Sequence, residues 1–111
     1  MSFSTVLQII VHDEINLEDY KNQIVAMLER DGIHSDLFND LLDAFDDGEA
    51  SFNCHAAYLY QLMPEVAKLI GDNASFDARG LGDEFALTWV QSFSEGNLEN
   101  SCALWDHGFE A

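Results

Sequence analysis

Apolar residues recur along much of this chain at spacings of three and four, the period of a helix with one buried face. Leu17, Tyr20, Ile24, Val25 and Leu28 share one such face. Asn16 stands in the capping position before them, Glu18 and Asp19 sit favourably at the positive helix start, and Gly32 follows as a stop. Ser35 is read as the cap of a second helix with an apolar stripe of Leu37, Phe38, Leu41, Leu42 and Phe45, which Gly48 closes. Ser51 is placed to cap a third helix through Ala56, Leu59, Tyr60 and Met63. Pro64 fits the first turn of a short continuation over 65–70, so the spacing predicts a break or kink near Met63. Residues 71–82, GDNASFDARGLG, collect turn formers and read as the longest connection. A fourth helix is predicted over 83–95 with Phe85, Ala86, Trp89, Val90 and Phe93 inward, stopped by Gly96. Asn97 then caps a last short helix that buries Leu98, Cys102 or Ala103, and Trp105.

Residues 3–11 are the ambiguous piece. Val6, Ile9, Ile10 and Val11 favour a strand, whereas Ser4 is positioned to cap a helix. A lone strand needs a partner for its backbone groups, and no second convincing strand stands out elsewhere. The expectation is therefore an all-α single domain over 1–111 with about five to six short helices. Residues 3–11 as a strand, paired across a dimer, are the exception.

Composition changes the picture in one respect. The 111 residues are 48% hydrophobic and rich in Phe, enough for one packed core, so the chain is read as folded despite its charge. That charge is extreme: 21 Asp and Glu face 4 Lys and Arg, for a net −17. Direct binding of nucleic acid or of an anionic membrane is excluded, since either requires a basic patch. The apolar start lacks a basic leader region and is too short to span a bilayer, which points to a cytoplasmic protein. Cys54 and Cys102 lie far apart and outside any CxxC pair, so two thiols are the simpler expectation.

Catalytic and metal chemistry find little support. His12, His34, His55 and His107 are scattered, and neither Cys54 with His55 nor Cys102 with His107 has zinc-ligand spacing. DAFDDGEASFNC offers Gly48 as the turn glycine of a calcium loop, but the register puts Phe45 and Cys54 where oxygen ligands belong. No Gly-x-Ser-x-Gly elbow is present, and the RGLG of residues 79–82 lacks the Lys and Ser or Thr of a phosphate loop. No enzyme, metal or cofactor is expected. Trp105 and Phe109, near the chain end, either anchor a partner or close the core.

The acidic residues themselves are the candidate site. On the second predicted helix Asp36, Asp40, Asp43 and Asp47 are spaced 4, 3 and 4 apart and form one stripe, with Asp46 and Glu49 beside it. Like charges at these spacings cost about 0.2–0.5 kcal/mol per pair. Asp46 and Asp47 also sit at the helix end where the macrodipole prefers cations. Local rules broken without local compensation point to a functional surface. With about 1.5 Å rise per residue, the carboxylates climb in steps comparable to the phosphates of a nucleic-acid strand. Such a row, extended by Asp13, Glu14, Glu18 and Asp19, fits a cationic groove built for DNA or RNA. In charge and size the chain resembles the small acidic nucleic-acid mimics that phages and mobile elements use against restriction or CRISPR effectors, without sharing a motif with them. The partner implied is a basic nucleic-acid-binding protein, met by stoichiometric competition, by a monomer or by a homodimer that continues the stripe. An immunity or antitoxin-like neutraliser of a basic toxin, or a merely salt-adapted acidic domain, is the alternative.

Overall fold

The computed structural model describes residues 4–107, and it corrects the all-α expectation. Five antiparallel strands form one sheet in the order β2-β1-β3-β4-β5. The elements run β1 Thr5–Val11, α1 Lys21–Arg30, α2 Leu37–Asp47, β2 Glu49–Phe52, α3 Ala56–Ile70, β3 Phe76–Leu81, β4 Thr88–Ser94 and β5 Asn97–Ala103. Short 3-10 turns occupy Leu17–Tyr20, Gly71–Asn73, Phe85–Leu87 and Leu104–His107. Helices α2 and α3 cover one face of the sheet, and α1 packs beside α2.

Residues 3–11 were expected as a helix because no partner strand was visible. Thr5–Val11 is instead a strand with partners on both sides, β2 through Thr5↔Phe52 and β3 through Val6↔Leu81, so no dimer is needed to pair it. Thr5, Leu7 and Ile9 face the helices and are buried, while Val6, Gln8 and Ile10 face outward. The buried Thr5 hydroxyl donates to the Cys54 carbonyl at 2.8 Å, which satisfies it inside the core.

The other partners were hidden in segments read as something else. Ser51 is a β2 residue, not a helix cap; the cap of α3 is His55, whose Nδ1 accepts the Ala57 N–H at 3.0 Å. The 71–82 connection contains β3, in which Phe76, Ala78 and Gly80 are buried in alternation. The helix expected over 83–95 is β4, with Trp89, Gln91 and Phe93 inward. The helix expected after Asn97 is β5, joined to β4 by a two-residue hairpin turn at Glu95 and Gly96, both with positive φ (52° and 82°). Positive φ at both central positions matches the right-handed twist of the flanking strands.

Two long-range fits explain why these strands form. Gly80 is opposite Trp89, and a Cβ on Gly80 would lie 2.2 Å from the indole Nε1, so the glycine is what lets the ring lie flat across β3. The same Nε1–H donates to the Ala56 carbonyl at 2.9 Å and ties β4 to the head of α3. The second fit involves Pro64. It does not break α3, which runs continuously to Ile70. Proline has no N–H to give the carbonyl four residues earlier, that of Tyr60. The buried Gln91 side chain supplies the missing donor, its Nε2 lying 3.0 Å from the Tyr60 oxygen. A polar residue in the middle of an inward-facing strand is thereby matched to a proline in the middle of a helix.

Helices α1 and α2 lie close to where the apolar spacing predicts them, followed by Gly32 and Gly48. The first begins later than expected, because Leu17–Tyr20 forms a 3-10 turn and Asn16 makes no side-chain cap. Leu37, Phe38, Leu41, Ala44 and Phe45 of α2 are buried, and Phe45 meets Phe76 edge-on at 5.2 Å. Phe76 continues to Phe93 at 4.8 Å, and Trp89 reaches Trp105 through Tyr60, so aromatic rings run along the helix–sheet seam. Burial of each such side chain contributes about 1.5–3 kcal/mol.

Candidate functional site

Burial of the apolar stripe fixes where the aspartates of α2 point. Asp43, Asp46 and Asp47 are exposed along the helix, Asp36 is exposed at its N-cap position, and Asp40 is half-buried. Asp36 and Asp43 both lie close enough to act on Asp40. The Asp40 carboxyl is pushed above the usual carboxylate range, first by partial burial and then by the charges of Asp43 and Asp36. Asp40 in turn helps raise the buried Cys54 thiol, which burial chiefly pushes up to about 12. Cys54 is therefore a neutral thiol, and no disulfide joins it to Cys102.

Arg30 and Lys21 make contacts of their own, none of them with an aspartate of α2. Arg30 pairs with Asp31 and Glu65, linking α1 to α3, and Asp31 also accepts the Tyr58 hydroxyl at 2.9 Å. Lys21 lies over the Phe38 ring at 5.9 Å. Among the described residues none of Asp40, Asp43, Asp46 and Asp47 has a lysine or arginine at ion-pairing distance. His34 approaches Asp36 at 3.4 Å through Nδ1, the same nitrogen that lies 3.1 Å from the Asp36 backbone N–H. The α2 row is a set of neighbouring carboxylates that no lysine or arginine pairs with among the described residues.

The remaining acids lie on other elements. Glu49 is not at the helix end; it lies on β2 and accepts from Gln8 Nε2 at 2.8 Å across the outer sheet surface. Asp13, Glu14 and Asp19 line a separate hollow of about 430 Å³ with Asn73 and Ile70 at the end of α3. Glu18 is exposed on the neighbouring 3-10 turn. Asp36 and Asp40 border another shallow hollow, of about 350 Å³, with His34 and Asn53. Among the described residues no group of three or more His, Cys, Asp or Glu is arranged to hold a metal ion. No helix among them is long and apolar enough to cross a membrane.

The outer face of the sheet escaped the sequence reading altogether. Arg79, read as part of a loop, is in the middle of β3, where its Nε donates to Gln8 Oε1 at 2.8 Å. Ile10 and Val90 flank it, 63% and 44% exposed, together with Asp77 and Ser92 around a hollow of about 480 Å³. Asp77 pairs with His12 at 3.0 Å, and the His12 hydrogen bond holds its carboxyl below the usual range. The available signal was the alternation Val6-Gln8-Ile10, which marks a second face on β1.

Trp105 belongs to the core seam, meeting Tyr60 edge-on at 5.3 Å, whereas Phe109 lies outside the described residues. Cys102 is exposed on β5, and the side chain of His107 lies outside the description. Set against protein families, curated proteins and solved structures, the chain shows no match to any of them.

Proposed function

We propose that this chain is a cytoplasmic decoy whose α2 carboxylates occupy the cationic groove of a nucleic-acid-binding protein, such as a restriction or CRISPR effector, and exclude its nucleic acid by stoichiometric competition. One observation carries the reading: on α2, the aspartates at positions 40, 43, 46 and 47 present charge to solvent with no lysine or arginine paired to them. From Asp36 to Asp47 the helix rises about 16 Å, the length of about five phosphate steps along one strand. A groove lined by Lys and Arg for phosphate meets carboxylates on a rigid rod, and its own charges supply the steering. The chain's part in this is binding, with no reaction. Glu49 belongs to a different surface, and Asp13, Glu14, Glu18 and Asp19 form a flanking patch.

Immobilised protein is the test. Capture of a nucleic-acid-binding protein that salt releases and duplex DNA displaces is the expected result. Replacement of Asp36, Asp40 and Asp43 by Lys should abolish capture while leaving the fold intact. Capture that is indifferent to salt, or unchanged in the triple variant, would sink the reading.

A further inference from the structure

The outer sheet face departs from the usual pattern of an antiparallel sheet with one wet side, in which inward apolar residues alternate with polar ones. Here the outward positions include Val6, Ile10, Leu81 and Val90, and Ile10 is the most exposed large hydrophobic side chain among the described residues. Register aligns one polar row across this surface: Glu49 is opposite Gln8, and Gln8 is opposite Arg79. Gln8 hydrogen-bonds to both, which holds a carboxylate and a guanidinium one strand to either side of β1. Arg79 has no ion-pair partner among the described residues.

We propose that this face binds a second copy of the chain, back to back, about a twofold axis along β1 that sets each Arg79 against the partner's Glu49. A rotation about that axis carries β3 of one copy over β2 of the other and leaves heights along the strands unchanged. The row Glu49-Gln8-Arg79 is therefore its own complement: both guanidinium groups meet a carboxylate, and Ile10 meets the partner's Ile10. Stacked sheets pack about 10 Å apart, within reach of Arg and Glu side chains extended toward each other. About this axis β2, β1 and β3 alone overlie the partner, and three strands at about 4.8 Å spacing with about six residues at about 3.3 Å give each copy a face of about 290 Å². Two such faces come to about 600 Å², below the roughly 1,000 Å² of a specific interface, so the dimer is a weak one that leans on the two Arg79–Glu49 pairs. Its helix layers point away from each other, which would give one particle two acidic rows.

Salt separates this association from the decoy reading, on which it does not rest. Two chains of net −17 repel, and raising salt from about 0.1 to about 1 M shortens the Debye length from about 10 to about 3 Å. The dimer should tighten with salt, while capture of a basic partner should weaken. Sedimentation from micromolar to millimolar chain, at both salt levels, should show a monomer–dimer equilibrium. Ile10→Lys changes an exposed position, keeps the far-UV circular dichroism of the parent, and should raise the dimer dissociation constant about tenfold, the scale of one hot spot. Arg79→Glu or Glu49→Arg alone should also weaken the dimer, and the two together should recover it. A chain that stays monomeric at every concentration and salt, a dimer unmoved by Ile10→Lys, or a double variant no better than either single one overturns the proposal.

Discussion

Helix α2 and strand β4 both carry large apolar side chains spaced as a buried helical face requires, yet only one of them is a helix. In α2 the stripe of Leu37, Phe38, Leu41 and Phe45 faces the core as its spacing dictates. In β4 Trp89 and Phe93 are four apart and would share a helical face, but they are inward residues of a strand with Gln91 between them. A helix closes its backbone hydrogen bonds within itself, so its local pattern is nearly sufficient. A strand's bonds go to segments far away in sequence, and its pattern means little until those segments are found. The contrast extends to charge: β4 is held by specific long-range fits, whereas α2 carries charges that serve no local purpose.

The dependence of β4 on distant fits is broken most severely at Trp89. The ring is buried, covers Gly80 and bonds to Ala56, so Trp89→Ala should lose about 3–5 kcal/mol in urea unfolding. A smaller effect sharpens the same point at Gln91. Gln91→Ala leaves the Tyr60 carbonyl without its donor and should cost about 1–3 kcal/mol. In a Pro64→Ala background the helix regains its own N–H for that carbonyl, so the cost of Gln91→Ala should shrink. Additive losses in that double-mutant cycle would separate Gln91 from Pro64.

The smallest effect has the opposite sign and belongs to α2. Asp40→Asn removes like-charge neighbours and should stabilise the fold by about 0.2–0.5 kcal/mol for each pair relieved. Because the folded carboxyl is raised above its unfolded value, ionised Asp40 costs stability above that range, and the cost disappears as pH falls through the raised value. The advantage of the Asn variant should therefore fade on acidification. An advantage that grew in acid would mean that the Asp40 charge is favourable in the fold.

What was legible and what was not follow the same division. The α1 and α2 stripes, with Gly32 and Gly48 behind them, could be read because each is a local statement. Residues 3–11 had the β-branched composition of a strand, and the objection that nothing paired with them failed because β3 was disguised by Gly80 and Asp77 as a connection. Gly80 makes sense only beneath Trp89. The α2 acids are legible as a row, whereas the place of Glu49 is not: one residue after Gly48 the chain has already turned into β2, and its side chain accepts from Gln8.

By itself, then, the sequence determined the net charge of −17, the amphipathic helices and the row of aspartates on α2, all properties of residues near one another along the chain. Only the tertiary structure decided that five segments are strands, that Gln91 completes a helix broken on paper by Pro64, and that Arg79 stands between Ile10 and Val90 on an open face. The reason is physical: a sheet distributes its hydrogen bonds and its two surfaces over segments far apart in the chain, and none of those segments carries the whole pattern alone.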